Sequence, residues 1–163
     1  MILGCCGAGK STFSKKLHEQ TGLPLVHLDQ HFWNPHWVES RPAEWAEKVT
    51  ALVKPDQWIM DGNYGGTMEI RFQRADTILL LYYSTFRCLS RVIKRIHKYK
   101  GEVRPDMPDG CRERYDLHFL WYVANYNRTR TPKILNRLRD FEQDKSIHVF
   151  KNDQEADRFL AKL

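Results

Sequence analysis

The sequence predicts an α/β fold, in which a five-stranded parallel sheet is flanked by helices, and three observations favour it. Short apolar runs alternate along the chain with segments of helical period, as in parallel sheets that are covered by helices. A glycine-rich segment, GCCGAGKST at residues 4–12, lies between the first apolar run and the first helical segment. The length of 163 residues suits one domain with one core. We therefore expect a single domain over residues 1–163.

The elements of this fold can be assigned in order along the chain. The expected strands lie at residues 2–3, 25–28, 58–60, 78–83 and 147–150. The expected helices lie at residues 10–20, 42–54, 67–73, 86–100, 115–125, 132–141 and 154–163. Glycine and proline end several of them, such as Gly22 and Pro24 after the first helix and Pro55 after the second. The first strand is shorter than the usual five or so residues, which leaves open a natural chain with residues before Met1.

The glycine-rich segment matches the phosphate-binding loop (P-loop) pattern G-x-x-x-x-G-K-[ST] in full. In such a loop, backbone N–H groups and the helix N-terminus hold the phosphates of ATP. Lys10 is expected to reach the β and γ oxygens, and the Ser11 hydroxyl to hold Mg²⁺. The predicted nucleotide-binding residues here are Gly4, Gly7, Ala8, Gly9, Lys10, Ser11 and Thr12.

Two carboxylates follow predicted strands and are expected at the same edge of the sheet as the loop. Asp29 has three possible roles: it could act as the general base for an acceptor hydroxyl, support a metal ion through water, or simply cap a helix or turn. Asp61 could orient Mg²⁺, bind the substrate or only stabilise a turn. Asn63 and Tyr64 follow it in a glycine-rich stretch and are predicted substrate donors.

Aromatic side chains crowd the residues after Asp29. Phe32, Trp33 and Trp37 are interleaved there with two histidines, His31 and His36. Trp33 is expected to form a wall for a ring-shaped acceptor, although the whole group equally suits packing against the helix at Trp45.

Arginines dominate the second half of the chain. Arg87, Arg91 and Arg95 recur every four residues and share one helix face, where they would repel one another unless anions lay between them. Arg87 is therefore predicted to bind the substrate and Arg91 the nucleotide. Arg128 and Arg130 are predicted to close over the transferred phosphoryl group. A solvated basic face is the alternative for any one of them.

The stretch at residues 101–114, GEVRPDMPDGCRER, contains two prolines, two glycines and mixed charge. It is too polar for a core segment, and we expect a mobile lid that extends over about residues 101–131.

The charge of the chain is unevenly distributed. The net charge is +6, and residues 87–139 alone hold fourteen Lys and Arg against five Asp and Glu. Such a segment suits nucleic acid, a membrane surface or a polyanionic small substrate. The four cysteines lack zinc spacing, no apolar run is long enough for a membrane span, and no signal peptide is visible. We expect a cytoplasmic protein that is a monomer or a homodimer.

Several segments together resemble a known family. They are GCCGAGKST, GLPLVHLDQHFW, DQWIMDGNYGGT, RADTILLL, RCLSRVIKR and RPDMPDGC. These are similar to the DNA topology modulation (FlaR-related) proteins, a group within the adenylate kinase-like P-loop nucleoside and nucleotide kinases. The resemblance implies a kinase-like sheet with a lid, and it implies that Lys151 and Asn152 lie near the adenine base. One departure is Tyr82, where family members commonly carry Asp.

The leading expectation is an ATP-dependent kinase, a transferase that moves the γ-phosphate to a nucleoside, a nucleotide or another small acceptor with Mg²⁺ as cofactor. The alternative is an ATP-binding regulator that associates with DNA and has little or no kinase turnover. A switch GTPase is disfavoured because the chain lacks N-K-x-D. No DNA-binding motif is readable.

Overall fold

A parallel five-stranded sheet forms the centre of the structure, a computed structural model that describes residues 1–163. The strands are β1 (Ile2–Gly4), β2 (Leu25–His27), β3 (Trp33–Asn34), β4 (Val38–Glu39), β5 (Ile59–Asp61), β6 (Thr77–Leu81) and β7 (Ser146–Phe150). The sheet has the order β2-β5-β1-β6-β7, and its neighbouring strands are parallel, while β3 and β4 form a separate antiparallel hairpin. The predicted fold class is therefore confirmed.

Eight α-helices surround the sheet. They are α1 (Lys10–Thr21), α2 (Leu28–Phe32), α3 (Pro42–Leu52), α4 (Met68–Arg74), α5 (Thr85–Tyr99), α6 (Leu117–Thr129), α7 (Thr131–Arg139) and α8 (Asp153–Leu160). Local chemistry sets several ends: Ser84 accepts a hydrogen bond from the Arg87 N–H at the start of α5, and Gly22 adopts a left-handed conformation after α1. None of these helices has the length and apolar content needed to cross a membrane.

The core lies on both faces of the sheet and fixes the edge that carries the functional residues. Ile2 and Leu3 of the central strand are fully buried, and burial of each such side chain contributes about 1.5–3 kcal/mol. Because β1, β2 and β5 are parallel neighbours, the ends of these strands meet at one edge. The phosphate-binding loop, Asp29 and Asp61 follow or end these strands there.

One local expectation is wrong, and two short elements were not predicted. Helix α6 continues to Thr129 through the residues that the sequence suggests as a connection, so only a change of direction at Arg130 separates α6 from α7. The sequence also gives no indication of α2 or of the β3–β4 hairpin. Both are short, and their periodicity is too brief to read.

The segment at residues 101–114 is packed and not, as its polarity predicts, excluded from the interior. Met107 and Cys111 are buried, as are the charged side chains of Arg104 and Glu113. The segment contacts the hairpin region, since the Trp37 indole N–H donates to the Arg112 carbonyl at 2.9 Å. Arg104 and Glu113 form a buried ion pair at 2.8 Å, and this pairing of opposite charges lets a polar segment be packed.

Candidate active site

The phosphate-binding loop runs from the end of β1 to the start of α1. The Lys10 ammonium donates to the carbonyls of Gly4 at 3.0 Å and Cys5 at 3.2 Å, and no carboxylate pairs with it. Gly7 and Gly9 have φ of 81° and 96°, conformations that side chains other than glycine rarely adopt. The loop thus offers a cation and backbone donors at the N-terminus of a twelve-residue helix.

Gly7 is required by a close approach as well as by its backbone. A Cβ at this position would lie 2.3 Å from the Cys88 carbonyl oxygen and 2.9 Å from Val92 Cγ2. We expect Gly7→Ala to lose about 3 kcal/mol of unfolding free energy, from backbone strain and overpacking against α5, and to weaken ATP binding. Urea denaturation measures the loss, with Gly66→Ala as a control because that position has open space around it. Equal stabilities of the two variants would contradict this reading.

Two cavities meet above the loop. The loop cavity, of about 900 Å³, lies over the phosphate-binding loop, α1 and the start of α8. The aromatic cavity, of about 1080 Å³, lies between the β3–β4 hairpin, the residues after β5 and α6. The residues that line both are Cys6, Lys10, Asp29, Gly62, Arg95 and Arg104. A group transferred between ligands in the two cavities would pass these side chains.

Aromatic rings form two walls of the aromatic cavity. Trp33 and Trp37 line the hairpin side, with their ring centroids 5.4 Å apart. The opposite wall belongs to α6 and comprises Phe119, Tyr122 and Tyr126. Phe32 has both roles that the sequence suggests for this group, since it lines the cavity and packs on Trp45 at 5.1 Å. His31 and His36 are exposed and line neither cavity.

Asp29 lies in the short helix α2 and faces both cavities. The Tyr64 hydroxyl donates a hydrogen bond to Asp29 Oδ1. Burial, together with the neighbouring Asp29 carboxylate, raises the pKa of Tyr64, so the phenol stays protonated and acts as the donor. Tyr64 also packs against Phe32 with a centroid distance of 4.6 Å. The carboxylate is thereby oriented by a residue that is itself held by ring packing.

Asp61 ends β5 and is buried beside the phosphate-binding loop. Its carboxylate accepts from His27 Nδ1 at 2.9 Å and from the Ser14 hydroxyl at 3.2 Å. The hydrogen bond to Asp61 is the main reason why the pKa of His27 is raised. Asp61 lines the loop cavity together with Ser11 but does not line the aromatic cavity. Both predicted roles of Asp61, at the metal and at the substrate, stay predictions.

Asn63 connects the residues after β5 to the start of the phosphate-binding loop. Its side-chain amide donates to the Gly4 carbonyl at 2.8 Å and accepts from the Gly4 N–H at 3.1 Å. Gly4 itself lines neither cavity, and a Cβ there would lie 2.6 Å from the Leu81 carbonyl oxygen. Both residues, which the sequence predicts as ligand-binding, are thus seen to brace the loop, although Asn63 also lines the aromatic cavity.

Arg71 of α4 holds the segment that follows β5, and the sequence gives no sign of this role. Its side chain has 0% exposure and donates to the carbonyls of Gly62 at 2.7 Å, Tyr64 at 3.1 Å and Asn63. No carboxylate pairs with it, and burial lowers the pKa of the guanidinium to about 10. Arg71 therefore holds in place the segment that supplies Asn63 to the loop and Tyr64 to Asp29.

Arg71→Met should lower the free energy of unfolding by about 3 kcal/mol, because it leaves backbone carbonyls without partners inside the protein. Arg74→Met on the same helix is the matched control, since Arg74 is exposed and makes longer hydrogen bonds of 3.3 Å and 3.5 Å. Chemical denaturation of both variants measures the difference. If Arg71→Met cost no more than Arg74→Met, the bracing role would be wrong.

The arginines of the α5 row form ion pairs with carboxylates of the chain itself. Arg87 and Arg91 pair with Asp153 at 3.2 Å and 2.6 Å, and Arg95 pairs with Glu113 at 3.1 Å. The carboxylates thus lie beside the aligned guanidiniums without a bound phosphate, and the binding roles predicted for Arg87 and Arg91 stay predictions. Arg91 lines the loop cavity, whereas Arg87 lines neither cavity.

Other predicted site residues lie away from the point where the cavities meet. Arg128 is exposed and lines neither cavity, and Arg130 lines only the aromatic cavity. Lys151 and Asn152 also line neither; Asn152 caps α8 by accepting from the Glu155 N–H at 3.0 Å. The arginines at the meeting point are Arg95 and Arg104. Arg95 belongs to the row of arginines that recur every four residues. The sequence around Arg104, by contrast, does not indicate that this side chain lies where the cavities meet.

Comparison with known proteins supports the fold. No family model matches the chain, and no curated protein matches its sequence; the resemblance to the topology modulation proteins thus stays a prediction. The structure is similar to deoxyadenosine kinase from M. mycoides with products dCMP and dCDP bound, with a TM-score of 0.50 and 15% identity over 99% of this chain and 98% of that chain. Structures of that enzyme with dCTP and with dATP have TM-scores of 0.47 at 14% identity, over 99% of this chain and 96% of theirs. The chain has the fold of the P-loop nucleoside kinases.

Proposed function

We propose that the protein is an ATP-dependent kinase that transfers the γ-phosphate of ATP from the loop cavity to a small acceptor in the aromatic cavity. One observation carries this proposal: Lys10 of the phosphate-binding loop and the Asp29 carboxylate both line the two cavities where they meet. A cation for the transferred group and a carboxylate for the acceptor are the two groups that such a transfer requires there.

The loop cavity suits the phosphates of ATP. The N–H groups of the loop and the N-terminus of α1 would hold the β-phosphate, and Lys10 would move from its carbonyl partners to the β and γ oxygens. Ser11 and Asp61 both line this cavity and fit Mg²⁺, which prefers few protein oxygens beside phosphate and water. Bound there, Mg²⁺ would neutralise charge on the phosphates. We propose that the adenine base of ATP lies near Asp153 and Ala156, which line this cavity. Lys151 and Asn152, which the family resemblance places near the base, line neither cavity.

The aromatic cavity suits a flat acceptor with a hydroxyl group. A ring between the Trp33 side and the α6 side would stack on aromatic faces, with its hydroxyl directed at Asp29. Asp29, oriented by Tyr64, would accept the hydroxyl proton as the oxygen attacks the γ-phosphorus. Arg95 and Arg104 line both cavities and would stabilise the charge on the transferred group. They take the role that the sequence suggests for Arg128 and Arg130.

A labelled-transfer screen tests this function. The protein is incubated with ATP labelled at the γ-phosphate, Mg²⁺ and separate pools of nucleosides, nucleoside monophosphates and small alcohols. We expect label to appear in a product of one pool and to be abolished by EDTA. Binding of ATP with no labelled product from any pool would contradict the proposal.

The DNA-associated regulator stays an alternative from the sequence alone. Arg87, Arg91 and Arg95, which would be candidates for phosphate-backbone contacts, already pair with Asp153 and Glu113. No observation on the structure favours a second function.

A further inference from the structure

A buried hydroxyl without a partner lies on the α6 wall of the aromatic cavity. Tyr126 lines this cavity and is only 1% exposed, yet no protein group forms a hydrogen bond with its hydroxyl. Buried polar groups are nearly always paired, so an unpaired one calls for a partner such as a ligand atom. Burial raises the pKa of Tyr126, so the phenol stays protonated and can donate to such an atom.

Two cations lie near this hydroxyl. Arg130 follows Tyr126 by four residues, and its backbone N–H donates to the Tyr126 carbonyl at 2.8 Å, so it lies one turn further along the same face. Burial raises the pKa of Tyr122 and of Tyr126, and the positive charge of Arg130 opposes both rises. Lys133 lies in the first turn of α7, three residues after Arg130. Both cations line the aromatic cavity, and neither lines the loop cavity.

Arg130 and Lys133 have no carboxylate partner. The ion pairs of the chain include neither side chain. Glu69 lines the same cavity, but both of its oxygens accept from Arg137, at 2.6 Å and 3.0 Å. Arg114 also lines the cavity without an ion pair, but it precedes α6 and lies at the other end of that thirteen-residue helix from Arg130. Two positive charges near Tyr126 are therefore available to an anion in the cavity.

These side chains supply the groups that bind a phosphate or a carboxylate. An arginine presents parallel N–H donors that match two oxygens of either group, and a lysine adds a compact charge. The phenol adds a further donor. Such charge-assisted hydrogen bonds are about twice as strong as those between neutral groups. An uncharged ligand at this place would use none of the positive charge.

We propose that Tyr126, Arg130 and Lys133 form an anion subsite, and that the acceptor carries a phosphate or carboxylate group apart from the hydroxyl that attacks ATP. This inference rests on the proposed function. The subsite lines the aromatic cavity alone, whereas Lys10 and Asp29 lie where the cavities meet, so the anionic group is bound and not phosphorylated. The hydroxyl oxygen forms a bond to the γ-phosphorus as the bond to the bridging oxygen of ADP breaks, and the hydroxyl proton passes to Asp29.

Pairs of acceptors that differ only in the anionic group test the substrate class. Transfer from labelled ATP is measured for sugars and sugar phosphates, polyols and the corresponding hydroxy acids, and nucleosides and their 5′-monophosphates. We expect one anionic member to exceed its neutral partner in kcat/KM by about 10- to 100-fold, as hydrogen bonds to charged groups typically contribute. The series in which this occurs distinguishes phosphate from carboxylate. If no anionic member exceeds its neutral partner, the inference is wrong and the proposed function stands; transfer to no compound would overturn both.

The linkage in the product tests whether the anionic group is bound apart from the reacting hydroxyl. We expect phosphorus NMR of the product to show a new phosphate ester at a hydroxyl of the acceptor. A new P–O–P linkage or an acyl phosphate would show that the anionic group itself attacks ATP. Either product would contradict a separate anion subsite.

Variants of the subsite test its residues. Arg130→Gln and Lys133→Gln should each raise KM for the anionic acceptor about tenfold and change kcat little, because each removes a charge that only binds. Tyr126→Phe should raise the same KM by a smaller factor. It should not lower the melting temperature, because the hydroxyl loses no partner within the protein. Arg139→Gln is the matched control, since it removes the same charge from an exposed position on α7 that lines neither cavity.

The split between KM and kcat separates binding of the anion from simple damage. Arg130 and Lys133 are exposed, so both variants should fold, and melting temperature and ATP affinity are measured alongside. A wild-type KM for the anionic acceptor in both variants would show that the two cations are only a solvated surface and would overturn the inference. A Tyr126→Phe protein with a lower melting temperature and an unchanged KM would exclude Tyr126 from the subsite.

Discussion

Replacement of Lys10 by alanine is expected to lower the rate of phosphoryl transfer by about 10²- to 10³-fold, as is typical when one donor to transition-state charge is removed. Lys10 reaches only backbone carbonyls in the structure, at 3.0 Å and 3.2 Å, so its charge is available to a phosphate. The core does not depend on it, and the melting temperature should change little. Steady-state rates with the acceptor identified by labelled transfer measure the effect.

Lys94→Ala provides the matched control for Lys10→Ala. It removes the same charge from an exposed position on α5 that lines neither cavity. The control should transfer phosphate at the wild-type rate. A Lys10→Ala protein that retained full activity would show that the phosphate-binding loop is not where the donor binds during transfer.

Substitution of Asp29 by asparagine should lower kcat by about 10²- to 10⁴-fold, the usual contribution of a positioned general base. Asparagine keeps the shape of the side chain and still accepts a hydrogen bond from the Tyr64 hydroxyl. The affinity for ATP should therefore be nearly unchanged, and the loss should fall on kcat rather than on KM. Tyr64→Phe, which removes only the orienting hydrogen bond, should cost less.

Comparison with Asp61→Asn distinguishes the two roles that the sequence leaves open for Asp29. Asp61 lines the loop cavity only, so its substitution should raise the Mg²⁺ concentration needed for half-maximal activity. If Asp29 is the general base, Asp29→Asn should leave the Mg²⁺ concentration for half-maximal activity unchanged. If Asp29→Asn raised the Mg²⁺ requirement and retained kcat at saturating metal, Asp29 would support the metal and the assignment as base would be wrong.

The parts of the fold that depend on local pattern could be predicted from the sequence. The apolar runs give the five sheet strands to within one or two residues, since buried parallel strands read as continuous apolar segments. The phosphate-binding loop was recognisable because its glycines and Lys10 occupy fixed spacings. Asp29 was placed at the correct edge because parallel strands deliver their following residues there.

Features that depend on distant contacts could not be predicted. Asn63 braces Gly4 across 59 residues of sequence, and the sequence shows only a polar residue near glycines. Arg71 looks like a surface arginine on a short helix, because its three carbonyl partners become visible only when the chain turns back over it. Arg104 and Glu113 make the segment at residues 101–114 look too polar to be buried. They pair with each other in the structure, and no pattern in the sequence indicates that pairing.

The most direct test of the account measures the products of one reaction. The wild-type protein is given ATP, Mg²⁺ and the acceptor found by labelled transfer, and ADP, phosphorylated acceptor and inorganic phosphate are quantified together. Transfer between the two cavities predicts that ADP and phosphorylated acceptor appear in equal amounts, with little inorganic phosphate. ADP formed together with inorganic phosphate, at a rate independent of the acceptor, would contradict it.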